Sequence, residues 1–494
     1  MFARLGLGLI TAGRTGLLLA VVMASVAYGL TRDSTIEFFN YWIGASFIAW
    51  FLGHILRRRF PAIPVLAWIL GILILLFGWT SAALGWLDVW LIDNLENYPL
   101  WWDSVTIYGA NYSDLAFPAM VRATALLGAT ALAIDLFSDV RWTRALLITW
   151  GATATGMVVF FFLQRTFGEP FLLRSSLDPR RVLTFATFRY WGNAASYLNL
   201  SWPLLVGLAT YSIKCHRAKG WTFWLSCALI AFSAVFLNVS KAGNILGIVG
   251  LLLFVSLLSF HTLKHWDRRR VRFSYRTAIL VVIPVIVIAV SLAAALPTDR
   301  WERLLNRDVD KDPRRIAYSY FLTMLPESGW MGFGPGNYKQ VYWDYVGDDP
   351  TMARTPFWVA HQDYLQTVIE WGYLGTITWA LVFAFPIFAL ARQSFFTAPS
   401  RLDQRQDYAY SLSVHARLFW EAIPDARAPL LAIAGLIAIT LTALHSLVDF
   451  PMQIASLQFY FLLWIALGWK LWLSPGDPAT PKSRRQGAEP NPGR

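Results

Sequence analysis

Residues 62–84 read AIPVLAWILGILILLFGWTSAAL and contain no charged side chain. A run of about 20 apolar residues is long enough to cross the roughly 30 Å hydrocarbon core of a membrane as a helix. Similar runs recur along the chain, in which 56% of the 494 residues are hydrophobic and 15% are charged. Because a helix satisfies its own backbone hydrogen bonds in lipid, this pattern predicts an all-α polytopic membrane protein.

The apolar runs predict about twelve membrane-spanning helices. The predicted spans cover residues 9–29, 38–56, 62–84, 115–136, 145–163, 193–213, 221–238, 244–262, 277–296, 372–391, 428–447 and 454–473. They form one membrane domain over residues 1–473, whose first span is predicted to be retained rather than cleaved as a signal peptide. Residues 474–494 are predicted to form a disordered cytoplasmic tail.

Basic residues cluster on alternate loops between these spans, at residues 57–59, 141–144, 214–219 and 264–272. By the positive-inside rule, these loops and both termini are predicted to be cytoplasmic. The formal charge of +12 is therefore explained mainly by topology. Because the basic residues form no long stripe with interleaved aromatic residues, nucleic acid is not a predicted partner.

The same alternation leaves four notable segments on the outer side of the membrane, at residues 85–114, 164–192, 238–244 and 297–371. The last is a long external loop between the ninth and tenth predicted spans. Long connections held by a rigid scaffold are where binding and catalytic sites are usually built. The functional site is therefore predicted on this side.

Arginines are in excess in the second outer segment, against the usual charge bias. They are Arg165, Arg174, Arg180, Arg181 and Arg189. Because a guanidinium group binds two phosphate oxygens at once, the set favours a phosphate-bearing substrate such as a lipid diphosphate. The alternative for any one of them is pairing with a nearby acid or a lipid headgroup.

Residues 361–375 read HQDYLQTVIEWGYLG and lead into the tenth predicted span. His361 lies where a helix is predicted to begin, which disfavours a protonated imidazole and suits a proton acceptor. Asp363, Gln366 and Glu370 are spaced i, i+3 and i+7, so they are predicted to share a polar face. The alternatives are that His361 caps the helix, that Asp363 only complements the helix dipole, and that Glu370 forms a salt bridge.

Two further motifs have structural and functional interpretations. The run GFGPGNY at residues 332–338 lacks the Lys-Ser/Thr ending of a phosphate loop, so it predicts a tight turn. His445 and Asp449 are four residues apart, which predicts either a structural pair or a substrate contact. The spacing of the histidines and of the two cysteines, Cys215 and Cys227, predicts no metal site.

The segment at 361–375 resembles the His-Asn-x-x-Leu...Glu-x-Gly-x-x-Gly signature of the O-antigen ligase and O-antigen polymerase superfamily. Other family-like stretches occur in the expected order: TFRYWGN at 187–193, SKAG at 240–243, Arg315 before Tyr318, GFGPGNY at 332–338, and HSLVDFP at 445–451. Together they extend over residues 185–460.

The resemblance implies a glycosyltransferase C-like fold and metal-independent, inverting transfer of a glycan from undecaprenyl pyrophosphate. It also implies a bacterial inner-membrane location with the active site facing the periplasm. The family's catalytic histidine corresponds to His361, and its two phosphate-handling arginines correspond to Lys241 and Arg315, with Arg314 as a shift of register. Lys241 retains the charge but not the bidentate geometry of the usual arginine. Gln362 replaces the usual asparagine.

These patterns predict catalytic roles for His361, Arg315 and Lys241. Substrate-binding roles are predicted for Arg314, Arg180, Arg181, Arg189, Asp363, Glu370 and His445. The predicted partners are an undecaprenyl-pyrophosphate-linked glycan, a lipid A core or glycan acceptor and membrane lipids, with no cofactor. Ligation, polymerisation and transfer to protein remain open. A multi-span transporter is the alternative class, although the sequence shows no two similar halves.

Overall fold

The protein is seen in a computed structural model, which describes residues 2–94, 109–167, 185–214, 220–264, 313–347, 357, 359–396, 424, 426 and 428–473. Within these ranges the regular structure is helical, apart from an isolated bridge between Phe185 and Phe188. The predicted all-α class is therefore confirmed.

The described helices fall on either side of the segment 265–312, which lies outside the described residues. Those before it are α1 (Phe2–Val26), α2 (Asp33–Leu56), α3 (Val65–Asn94), α4 (Ser113–Leu136), α5 (Val140–Phe167), α6 (Trp191–Lys214), α7 (Gly220–Leu237) and α8 (Lys241–Lys264). Those after it are α9 (Pro313–Ser328), α10 (Tyr338–Val346), α11 (Asp363–Phe396), α12 (Pro429–His445) and α13 (Ala455–Trp472). Short 3₁₀ turns precede α2 and α13.

Among the described helices, seven are long and apolar enough to cross a membrane, namely α1 to α5, α8 and α11. Shorter apolar helices form most of α7 and all of α12. Eleven of the twelve predicted spans overlap α1 to α8 and α11 to α13. The remaining span, 277–296, lies outside the described residues, so the count of twelve stays a prediction.

One described helix is longer than the membrane span predicted within it. α11 begins at Asp363, directly after the helix start predicted at His361, and contains the whole predicted span 372–391. The predicted external loop contains α9 and α10, which are amphipathic rather than uniformly apolar. Their buried residues, including Phe321 and Tyr342, form a second hydrophobic cluster. A loop prediction misses such helices because they bury only one face.

Helix ends that the charge alternation assigns to the outer side meet at one end of the bundle. Ser456, near the start of α13, donates to the carbonyl of Gly29 after α1 at 2.5 Å. The N–H of Asp363 donates to the carbonyl of Ser446, after α12, at 3.0 Å. The turn between α7 and α8 is bonded to the first residue of α6. This end of the bundle holds the candidate site.

A buried ion pair joins α1, α2 and α4 away from that end. The guanidinium of Arg14 donates to Oδ2 of Asp135 at 2.8 Å, and the indole of Trp50 donates to the same oxygen at 2.9 Å. The side chains of Arg14 and Asp135 are 14% and 5% exposed. Charged groups in apolar helices are costly unless they are paired. This contact therefore explains how the bundle tolerates both Arg14 and Asp135.

We predict that Asp135→Leu destabilises the protein by about 3–5 kcal/mol, because Arg14 would lose its close, buried carboxylate partner. The thermal unfolding midpoint of the purified protein in detergent measures this effect. The double variant Arg14→Met/Asp135→Leu should recover most of the loss, since it removes both charges. Asp139→Asn is the control, because Asp139 is 43% exposed and 3.7 Å from Arg14. Equal midpoints for Asp135→Leu and wild type would contradict the prediction.

Candidate active site

His361 lies in the short connection before α11, and its ring contacts a carboxylate from the turn between α12 and α13. Its Nδ1 is 3.3 Å from Oδ1 of Asp449. The two side chains are 21% and 10% exposed. Because an ionised carboxylate only accepts hydrogen bonds, this contact places the imidazole proton on Nδ1. The other nitrogen, Nε2, is then left to accept a proton.

Asp449 has further partners around the same carboxylate. The hydroxyl of Tyr190, just before α6, donates to Oδ2 at 3.2 Å, and Nε2 of His445 is 3.6 Å from Oδ2. Burial raises the pKa of Asp449, but the neighbouring imidazoles of His361 and His445 outweigh burial and hold that pKa below its usual range. The carboxylate is therefore ionised at neutral pH and accepts hydrogen bonds from the donors around it.

Aromatic rings enclose the His361 imidazole. The ring of Phe450 lies 4.8 Å away and that of Phe357 lies 5.8 Å away, centroid to centroid, both nearly perpendicular to the imidazole. Tyr190 stacks on Phe450 at 5.3 Å. His361 also has a φ of 50°, which is uncommon for a residue other than glycine. Such a backbone persists where its surroundings fix it.

The first turn of α11 is bonded to the turn between α12 and α13. Oε1 of Gln362 accepts from the N–H of Leu365 at 2.5 Å and so caps the helix. The carboxylate of Asp363 accepts from backbone and side-chain donors of the 3₁₀ turn before α13, at 2.9 and 3.1 Å. Asp363 is 3% exposed. These bonds position the helix start, while the predicted substrate role of Asp363 stays a prediction.

Gln366 and Glu370 lie on the buried face of α11, as their spacing predicts. Nε2 of Gln366 donates to Oε1 of Glu370 at 2.9 Å, and Oε1 of Gln366 accepts from the N–H of Ala360 at 3.1 Å. The N–H of Gly336 donates to Oε2 of Glu370 at 3.1 Å, and the charge of Arg122 in α4 also acts on this carboxylate. Glu370 thus has the partners that burial requires, and its predicted substrate role stays a prediction.

A break in α11 at Gly372, with φ 61° and ψ −173°, is filled by residues 329–334. The N–H groups of that turn donate to the carbonyls just before the break, and its carbonyls accept from the N–H groups just after it, at 2.9–3.1 Å. A Cβ on Gly372 would lie 2.4 Å from the backbone nitrogen of Gly332. The glycine-rich run is therefore a tight turn, as predicted, and it satisfies backbone groups that the broken helix leaves open.

Lys241 is the first residue of α8 and is partly exposed. Ser240 caps this helix by accepting from the N–H of Gly243 at 3.2 Å. In the same turn, the side chain of Asn238 donates to the carbonyl of Trp191 at 3.0 Å, next to the tyrosine that contacts Asp449. These contacts place Lys241 at the same end of the bundle as the histidine.

His445 ends α12 and is 1% exposed. Its Nδ1 is 2.7 Å from the hydroxyl oxygen of Ser196 on α6, while Nε2 faces Asp449. The structural pairing predicted for His445 and Asp449 is present. A substrate-binding role for His445 stays a prediction.

The predicted phosphate-binding arginines differ in how much of them the structure describes. Arg180 and Arg181 lie outside the described residues. The backbones of Arg314 and Arg315 form the first turn of α9, but their side chains lie outside the description. Arg189 is partly buried, beside the tyrosine that contacts the histidine–carboxylate pair. The phosphate-binding roles of all five stay predictions.

Two features of the site could not be predicted from the spacing of neighbouring residues: the contact between His361 and Asp449, and the contact of Tyr190 with Asp449. The sequence predicts pairing of Asp449 with His445, but not its contact with His361, which lies 88 residues away. Tyr190 has no predicted role. The sequence feature that could have indicated both residues is their position in stretches that resemble the family: Tyr190 lies in TFRYWGN and Asp449 lies in HSLVDFP.

The fold and the site define an all-α polytopic membrane protein with a histidine–carboxylate pair at one end of its helix bundle. Residues 226–380 match the family model described as O-antigen ligase. This match supports a relationship between that part of the chain and the O-antigen ligase superfamily. The segment includes Lys241, Arg315 and His361, whereas Asp449 lies beyond it. A comparison with curated proteins finds no significant match.

We predict that Gly372→Ala lowers stability by at least about 1–3 kcal/mol, because alanine is strained at this positive φ and its Cβ would overlap the turn at 329–334. Thermal unfolding in detergent measures the change. Gly71→Ala in α3 is the matched control, since a Cβ there meets no atom within 4 Å. An equal unfolding midpoint for the two variants would show that the turn does not depend on Gly372.

Proposed function

We propose that the protein is a glycosyltransferase of the O-antigen ligase type. It transfers a glycan from undecaprenyl pyrophosphate to an acceptor hydroxyl, on a lipid A core or on a growing polysaccharide. The observation that carries this proposal is the contact between His361 and Asp449, in a chain whose residues 226–380 match the O-antigen ligase family.

In the proposed reaction, His361 is the general base. With Nδ1 facing Asp449, Nε2 takes the proton of the acceptor hydroxyl while the hydroxyl oxygen attacks the anomeric carbon of the donor sugar. The carboxylate holds the imidazole in the correct tautomer and stabilises the imidazolium that forms. A positioned base of this kind contributes about 10² to 10⁴ in rate.

The bond between the anomeric carbon and the carrier phosphate breaks as the new glycosidic bond forms, with inversion, and the pyrophosphate leaves with the bonding electrons. We assign Lys241 and Arg315 to the negative charge that grows on this leaving group. Further phosphate contacts are assigned in this proposal to Arg180, Arg181, Arg189 and Arg314. Because cationic side chains supply electrostatic stabilisation here, we propose that the reaction needs no metal ion.

We place the site on the periplasmic side of the bacterial inner membrane. The basic residues at 57–59 directly follow α2, and those at 141–144 lie in the first turn of α5, just after the loop from α4, at helix ends that lie away from His361. By the positive-inside rule the loops face the cytoplasm, so the histidine faces the opposite side. The apolar helices beside it suit an isoprenoid chain that stays in the lipid.

We predict that His361→Ala lowers transfer by about 10² to 10⁴, the range of a lost general base, while carrier binding persists. Lys241→Ala and Arg315→Ala should weaken both carrier binding and transfer, because a charged phosphate contact is lost in ground and transition states. Lys241→Arg is the matched control and should stay active, since it restores the family's usual residue. Transfer from carrier-linked glycan by purified protein, with EDTA present, measures all four.

Each variant must first match wild type in detergent-extracted yield and elution. Full transfer by His361→Ala would exclude His361 as the base. If Lys241→Ala and Arg315→Ala both bind the carrier as tightly as wild type, neither residue binds the pyrophosphate. Loss of wild-type transfer in EDTA, restored by Mg²⁺ or Mn²⁺, would contradict the metal-independent reaction.

A further inference from the structure

Three hydrogen bonds run in line from the residue before His361 to the turn before α10. The N–H of Ala360 donates to Oε1 of Gln366 at 3.1 Å, and Nε2 of Gln366 donates to Oε1 of Glu370 at 2.9 Å. The N–H of Gly336 donates to Oε2 of Glu370 at 3.1 Å. Gln366 and Glu370 are 4% and 7% exposed, so this relay lies inside the protein.

The direction of each bond in the relay is fixed by the groups that form it. A backbone N–H only donates, and an amide side chain has one accepting and one donating end. Because Glu370 accepts at both oxygens, Gln366 must turn its NH₂ group toward Glu370. Its oxygen is then directed at Ala360. Glu370 therefore determines which end of the Gln366 amide meets the backbone beside His361.

The backbone at His361 needs such support. Its φ of 50° lies in a region that side chains other than glycine adopt only when their surroundings fix them. On the other side, the N–H of Asp363 is held by the carbonyl of Ser446 at 3.0 Å. Without the Gln366 bond, the N–H of Ala360 would lose its partner, and the backbone before His361 would be less firmly held against turning the imidazole away from Asp449.

We propose that Gln366 and Glu370 are positioning residues for His361. The Gln366 amide, oriented by Glu370, holds the backbone at Ala360 so that Nδ1 faces Asp449 and Nε2 faces the acceptor hydroxyl. This inference rests on the proposed function in one respect, the assignment of His361 as the base. It gives Glu370 a role within the protein instead of a contact with substrate.

A reciprocal exchange tests the relay. Gln366→Glu sets two carboxylates against each other. In Glu370→Gln, the new NH₂ group must face another donor, either the Gln366 amide or the N–H of Gly336, so each single change breaks a bond of the relay. The double variant Gln366→Glu/Glu370→Gln rebuilds it with the roles reversed. The new carboxylate accepts from Ala360 and from the new amide, whose oxygen accepts from Gly336.

We expect each single variant to lower kcat for transfer by up to about 10²-fold, as a misplaced catalytic group does, with little change in KM for the carrier. The double variant should recover to within a few-fold of wild type. Gln366→Leu should cost nothing further in the His361→Ala background, because residues that act through one group are not additive. Gln393→Leu, which removes a buried amide near the other end of α11, is the control and should leave kcat unchanged.

A double variant no more active than the single variants would overturn the proposal. So would a loss from Gln366→Leu that is equal in the wild-type and His361→Ala backgrounds. A second readout does not depend on transfer: the rate at which diethyl pyrocarbonate modifies His361, followed by mass spectrometry. This rate should change in both single variants and return in the double variant. If wild-type protein shows no transfer, the proposed function fails, while unchanged modification in the single variants would overturn the relay.

Discussion

The carboxylate of Asp449 joins three parts of the chain that are far apart in sequence. It lies 3.3 Å from Nδ1 of His361 before α11, 3.2 Å from the hydroxyl of Tyr190 before α6, and 3.6 Å from Nε2 of His445 at the end of α12. A buried charge is stable only when such partners surround it. The meeting of these helix ends, and the orientation of both imidazoles, therefore depend on this one group.

The lipid environment explains why the site is built at helix ends and breaks. Backbone groups that leave a helix must find partners inside the protein, and those partners occur around Lys241, His361 and Gly372. Ser240 caps α8, Gln362 caps α11, and the turn at 329–334 fills the break in α11. The amino ends of α8 and α11 also carry partial positive charge, which suits a pyrophosphate group.

The spanning helices were predictable because lipid imposes a minimum length and composition on a spanning segment. The start of α11 was predictable from the helical spacing of Asp363, Gln366 and Glu370, although these residues interrupt the apolar signal before residue 372. Their polar atoms are satisfied by other parts of the fold, which composition does not reveal. His361 was predictable from its motif. Its contact with Asp449 and the relay through Gln366 arise from tertiary packing. Neither can be predicted from the spacing of residues along the chain.

In the proposed reaction, His361 acts as a base held by the charge of Asp449. Transfer of carrier-linked glycan by purified Asp449→Asn protein is the measurement of choice, because asparagine retains the shape of the side chain but loses the charge and one of the two accepting oxygens. We expect a fall of about 10² to 10⁴ in transfer, with elution and carrier binding unchanged, and a much smaller fall for Tyr190→Phe. A wild-type rate of transfer in Asp449→Asn would contradict it.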